Sequence, residues 1–252
     1  MKKPSSEIVA RIAENKLSFR LDKARSSRKY SDAETLEIEK IWQDRVNNTD
    51  ANIFDGAIFS LEEMKCLDDG LDITCSLTSY KYYVGTRDPN VAISRVDPIG
   101  TIIVPITSDG YVPVGMRSGS AEANPGKYFT FGGYFDPTDD TDVNGVPDIT
   151  KCVQRELHEE LGCTITVDDI SLLGVIYDNV FCHPEVCALV RLKEKSSDLL
   201  KMNWMEELQS LEYLDARDRG IVSHVNEELM APALGSALVL ANEHLASELN
   251  NP

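Results

Sequence analysis

The sequence predicts a mixed α+β protein, with a smaller α+β unit over residues 1–95 followed by a strand-rich domain over 96–252. Three observations carry that expectation. Apolar residues recur at helical spacing in 31–46 and again in 149–161. Short segments rich in β-branched and apolar residues, separated by turn residues, crowd the chain from Ile99 onward. The pattern changes character near residue 95, after TRDPN (86–90), whose proline and small polar residues suit a linker or an active-site loop. At 252 residues and 42% apolar, the chain is long enough for a sizeable core and excludes wholesale disorder.

In order, SDAETLEIEKIWQDRV (31–46) opens on a Ser/Asp start signal and places Leu36, Ile38, Ile41, Trp42 and Val46 at roughly helical spacing, which predicts a helix with Trp42 in the core. AIFSLEEMKC (57–66) and LDITCSLTS (71–79) flank a turn-like DDG and read as a hairpin. Beyond residue 95, GTIIVPITS, the SDG turn (108–110) and YVPVGMR make a second strand pair. KYFTFGG, an aspartate-rich loop, the helix at 149–161, and the strands SLLGVIYDN and VCALVRL follow. The last third carries EELQSLEYLDA as a strand, then helices around 222–230 and 234–248, and a polar tail LNNP.

Charge and cysteine usage narrow the partners. With 25 Lys+Arg against 42 Asp+Glu the net charge is −17, a field that repels a nucleic-acid backbone. A phosphate-bearing small molecule still suits such a chain if divalent cations sit between carboxylate and phosphate. No stretch approaches the length of a membrane span, and the opening MKKPSSEIVARIAENK has no apolar signal-peptide region, so a soluble cytoplasmic protein is expected. The six cysteines form no CxxC pair, and free thiols are the expectation. Cys182, His183 and Cys187 in FCHPEVC fall short of the four ligands of a structural zinc site.

The segment ITKCVQRELHEELGC holds the most chemistry. Asp148 is placed to cap its first turn and Gly162 to end it in the left-handed conformation. Val153, Leu157 and Leu161 form an apolar stripe, and Glu156, Glu159 and Glu160 crowd a neighbouring face, where like charges repel unless solvent or a cation relieves them. A solvated acidic face is the ordinary reading of such a run. HEELG is not a zinc-protease helix, because Gly162 stands where a second histidine is needed. Phosphate-binding P-loops, nucleophile elbows and dinucleotide fingerprints are likewise missing from the sequence. In the preceding loop, Asp140, Asp142, Asn144, Gly145 and Asp148 follow the D-x-D-x-N-G-x-x-D spacing of a calcium loop, although Lys151 replaces its closing acid.

The string Arg155, Glu156, Leu157, His158, Glu159, Glu160, Leu161, Gly162 resembles the core of the Nudix box, REUxEExGU, with Cys163 where a bulky aliphatic residue is usual. Gly132 and Gly133 in FTFGGYFDP resemble the glycines that open the box. The acid expected eight positions before the arginine is replaced by Pro147; its counterpart is Asp139 or Asp140, and an insertion of about eight residues around TDVNGVPD, cheap in closure entropy, separates it from the helix. The resemblance covers about residues 96–250. It implies a Nudix α/β/α sandwich with a mixed β-sheet, preceded here by the N-terminal unit. It also implies hydrolysis of a nucleoside diphosphate derivative with Mg2+ or Mn2+.

On that resemblance Glu156, Glu159 and Glu160 are metal ligands, Arg155 orients them, and Glu160 or a loop acid accepts the proton of the attacking water. The order of FDGAIFSL, LTSYKYYVGT, GGYFDP, LLGVIYDN and PALGSALVLA along the chain is similar to the UDP-sugar pyrophosphatase branch, implying UDP-glucose or UDP-galactose cleaved to UMP and sugar 1-phosphate. GDP-mannose, ADP-ribose, a dinucleotide and coenzyme A remain alternatives, as does a binding module that keeps the fold without catalysis. Glu185 is a candidate further acid, Arg117 a candidate phosphate contact, and Tyr80, Tyr82, Tyr83, Thr86 and Asp88 candidate walls of a base or sugar pocket. Structural Ca2+ in the 140–148 loop, and a monomeric or homodimeric state, complete the expectations.

Overall fold

The computed structural model describes residues 4–12, 16–27, 29–49, 51, 53–68, 70–88, 90–199, 208–217 and 227–250. The centre of the fold is a four-stranded mixed sheet in the order β1 (Ser6–Arg11), β8 (Ile170–Asp178), β9 (His183–Arg191), β5 (Gly100–Ile106). β1 and β9 run antiparallel to β8, and β5 runs parallel to β9. A second sheet sets β6 (Tyr111–Arg117) between β10 (Leu208–Asp215) and the two-residue β7 (Tyr128–Phe129). The third sheet pairs β3 (Ala57–Leu67) with β4 (Gly70–Ser79) as the expected hairpin, and adds β2 (Leu17–Leu21) parallel to β4.

Strand periodicity divides the central sheet between two cores. Ile103 of β5, with Val186, Ala188 and Val190 of β9, joins α3 (Ile149–Leu161) through Val153, Leu157 and Leu161. The intervening Ile102, Val104, Cys187 and Leu189 face the other way, onto Leu234, Ala237, Leu238 and Ala241 of α5 (Pro232–Asn250). Helix, sheet and helix therefore stack as an α/β/α sandwich. In β8 a bulge between Leu172 and Gly174 sends the adjacent Leu172 and Leu173 into opposite cores. Gly174 is required there, because a Cβ would strike the Ala10 carbonyl of β1.

The helix over 31–46 forms as α1 (Asp32–Asn47), started by a capping box in which Ser31 and Glu34 satisfy each other's backbone N–H groups. Trp42 is buried, with Ile58, Tyr83, Val84 and Val96. α2 (Tyr80–Thr86) follows β4 directly, a short helix that no periodicity announced. KYFTFGG is mostly not strand: after β7 it meets β5 only through bridges Ile103–Phe131 and Gly100–Tyr134, since the glycines break the ladder to turn toward α3. Of the helix expected around 222–230, residues 222–226 lie outside the described residues, and 227–229 form a single 3-10 turn rather than α-helix. A four-residue α4 (Ser196–Leu199) links β9 to β10. Asp69 of the DDG turn, Pro89 of TRDPN and the last two residues of the polar tail also lie outside the described residues.

Residues on both sides of position 95 share structure. β1 completes the central sheet, and Phe59, Leu71, Ile73 and Cys75 of the N-terminal sheet belong to the same core as Val153 and Leu157 of α3. All six cysteines are free, with only Cys66 exposed. No helix among the described residues is long and apolar enough to cross a membrane.

Candidate active site

α3 is delimited as its sequence requires. The Asp148 side chain accepts from the N–H groups of Thr150 and Lys151, and Gly162 closes the helix at φ 67°. With Val153, Leu157 and Leu161 fully buried on one side, Glu156, Glu159 and Glu160 are turned toward a cavity of about 580 Å³.

Arg155 organises the acids. Its Nε and Nη2 grip both oxygens of Asp140 at 2.7–3.2 Å, Nη2 also reaches the Tyr134 carbonyl at 3.1 Å and Glu156 Oε1 at 2.8 Å, and Nη1 reaches Glu159 Oε2 at 2.9 Å. Asp140 has 0% exposure, so its charge depends on this clamp and on the Asp136 N–H, 2.8 Å away. Of the two acids that the insertion left open, it is Asp140 that meets the arginine. The inserted segment leaves and returns through the Thr141–Pro147 bridge, so its length does not disturb the clamp.

Gly132 and Gly133 bring backbone against these carboxylates. The Gly132 N–H donates to Glu160 Oε2 at 2.9 Å, and its φ of 131° and close approach to the Thr101 carbonyl exclude any side chain. A Cβ on Gly133 would lie 2.6 Å from Glu156 Oε1. Burial pushes the Glu156 carboxyl up to about 7, with Arg155 pulling in the opposite direction.

Other walls come from β9, α2 and the loop after β6. Glu185 lines the cavity 3.4 Å from His183 Nε2, and its buried Oε2 has no hydrogen-bond partner. Burial lowers the His183 pKa, but hydrogen bonding and charge from Glu185 more than offset that and leave it raised. Tyr83, Tyr134 and His183 meet edge to face at 5.5–6.2 Å, and the Tyr83 hydroxyl donates to the Phe181 carbonyl at 2.7 Å. Arg117 lines the cavity with its guanidinium 4.5 Å above the Phe129 ring. Phe54, 75% exposed, stands among the lining residues.

Several expected residues are elsewhere. Asp88 is exposed, accepts from the Asn90 backbone and side chain, and is not on the cavity wall, because α2 ends before it and turns it outward. Tyr82 stacks on Tyr30 at 4.9 Å, and the Thr86 hydroxyl ties the Tyr82 carbonyl to the Val96 N–H. The residues of the calcium-loop spacing are each engaged within the chain. Asp140 is committed to Arg155, Asp142 to the N–H groups of Asn144 and Val146, and Asp148 to the start of α3, while Asn144 donates to Asp142. Arg87 and Glu122 line the site without any motif to mark them, since their long-range pairing carries no local sequence signal, and Tyr134 and His183 line it although neither was named for it.

A divalent cation fits the donor chemistry of this cavity, since Glu156, Glu159, Glu160 and Glu185 offer only hard oxygens and one of them is unmet. No ready-made group of three acidic, histidine or cysteine ligands stands among the described residues, and Arg155 engages Glu156 and Glu159.

No family profile and no curated protein matches the chain. Solved structures do. A MutT/nudix family protein from Enterococcus faecalis matches with a TM-score of 0.47 at 12% identity, over 63% of this chain and 65% of that one, just under two thirds of its length. The MutT protein from Methanosarcina mazei Go1 gives 0.42 at 15% identity, over 61% and 95%. DR0079 from Deinococcus radiodurans gives 0.43 at 15%, over 74% and 98%. These are likenesses of form at low identity, and the chemistry rests on the chain's own residues.

Proposed function

We propose that this protein is a metal-dependent Nudix-type pyrophosphatase acting on a nucleotide sugar, with UDP-glucose or UDP-galactose cleaved to UMP and the sugar 1-phosphate. The observation that carries the reading is the placement of Glu156, Glu159 and Glu160 on one wall of a single large cavity, braced by Arg155 and Asp140 and approached by the bare backbone of Gly132 and Gly133. Glu156, Glu159 and Glu160 would hold Mg2+ or Mn2+, which neutralises diphosphate charge and acidifies the attacking water.

The chain's own residues do the rest. Arg155 fixes the rotamers of Glu156 and Glu159, so neither has to be ordered when substrate arrives. Glu160, oriented by the Gly132 N–H, accepts the proton of the attacking water, and Glu185 is the second acid within the same cavity. Arg117 meets phosphate. The cavity extends past the carboxylates to Phe54 and Tyr80, giving room and aromatic surface for a base or sugar, which favours a substrate larger than a bare diphosphate.

The test is hydrolysis of UDP-glucose, GDP-mannose and ADP-ribose with magnesium, wild type against Glu160→Gln, with both products identified. UMP and glucose 1-phosphate from wild type alone is the expected result. Turnover confined to GDP-mannose or ADP-ribose would overturn the substrate, and no metal-dependent turnover of any of the three would overturn the enzyme.

A further inference from the structure

Arg87 follows α2 as its C-cap and lines the cavity together with Glu122 and Tyr83. Its Nη2 donates to Glu122 Oε1 at 3.1 Å, and the same oxygen accepts from Arg45 Nε and Nη2 at 3.2 and 2.9 Å. Two arginines thus share one carboxylate, and the cluster keeps a positive charge in excess. Burial would push the Glu122 carboxyl up, but Arg87 and Arg45 hold it below its ordinary value, so it remains ionised and the count stands.

The guanidinium is fixed over the rings of Tyr83 at 5.3 Å and Phe181 at 5.9 Å. Its buried Nη1 has no hydrogen-bond partner. The Tyr83 phenol lies beside it, favouring the charged guanidinium through its oxygen, and donates its own proton to the Phe181 carbonyl at 2.7 Å. A half-buried guanidinium held between a shared carboxylate and two rings, with one donor still unmet, carries more charge than the ion pair needs. It stands in a cavity whose other ionisable walls are mostly acidic, among them Glu156, Glu159, Glu160 and Glu185.

We propose that Arg87 is a specificity-determining residue of this cavity, contacting a phosphate oxygen of a diphosphate-bearing ligand while Glu122 and the aromatic pair hold it in place. The ligand class rests on the pyrophosphatase reading above. Arg87 then selects for an oxyanion at a point served by neither the carboxylate helix nor the Gly132–Gly133 backbone. Arg45, which shares Glu122 but is not on the cavity wall, is the internal control.

Methylenediphosphonate, whose P–C–P link resists hydrolysis, is titrated calorimetrically into the full chain with magnesium. Arg87→Gln should weaken its binding by about tenfold or more, Arg87→Lys by less, and Arg45→Gln by no more than about twofold. An Arg87→Gln, Glu122→Gln double variant, which leaves no buried carboxylate short of a partner, should lose the same affinity at a wild-type melting midpoint. Binding by Arg87→Gln equal to wild type, equal losses in Arg87→Gln and Arg45→Gln, or no binding by wild type would each overturn the proposal. Because the readout involves no turnover, failure of the hydrolysis assay and failure of this assay are distinct results.

Discussion

Asp140 and Arg155 show how much rests on single groups. Asp140 is wholly buried against Arg155, and its removal leaves the arginine only Glu156 and Glu159 as acidic partners; Asp140→Ala should cost about 3 kcal/mol in urea unfolding and lower kcat by loosening Arg155 from its place. An unchanged kcat would remove the positioning role given to the pair. Gly133→Ala would drive a methyl group into Glu156 Oε1, 2.6 Å away. The expected outcome is a folded protein, by circular dichroism, with hydrolysis reduced at least about a hundredfold, as for other losses of fixed catalytic electrostatics. At this scale the sequence exposed the box residues by name. It did not choose between Asp139 and Asp140, because only burial and reach decide which acid an arginine takes.

α3 was legible almost residue for residue, since its cap, its apolar stripe and its left-handed terminus are all local. Asp148→Ala should cost about 1 kcal/mol by leaving the Thr150 and Lys151 N–H groups unmet, read as a shift in urea midpoint without a change in the slope. A far larger loss would mean that Asp148 does more than cap. α1 and the β3–β4 hairpin were legible for the same reason. β1, β2 and α2 were not: six, five and seven residues long, they are held by pairing with distant strands or by packing against α1, and such partners leave no period in so short a segment.

At the scale of the molecule, the N-terminal third and the rest of the chain share a sheet and a core. Heating should therefore give one calorimetric transition, and a chain beginning at residue 96, which loses β1 and the Phe59–Ile73 side of the core, should not fold; two separated transitions would argue for independent units. Acid stability has a traceable contributor in Asp109. The Ser196 backbone N–H, with further hydrogen bonds from Thr107 and Ser196, lowers its carboxyl to about 2 and joins the β5–β6 turn to α4. Its folded value lies below the ordinary carboxylate value of about 3.9, so its contribution is complete above that pH and disappears as pH falls toward 2. Urea midpoints measured down the acid limb should fall less steeply for Asp109→Asn than for wild type; parallel slopes would assign the acid loss to other groups.

The sequence by itself determined the class of fold, the helix that carries the acids, its two ends, and the pair of glycines that precede it. All of these depend on neighbours within a few turns or on a contiguous motif. Only the tertiary structure decided that Asp140 is the arginine's partner, that the 140–148 loop spends its oxygens on backbone and on Arg155, that Asp88 faces solvent, and that Arg87, Glu122 and His183 enter the cavity. Those outcomes turn on which groups become buried together across long stretches of chain, and the desolvation that selects among them exists only once the sheets and helices have packed.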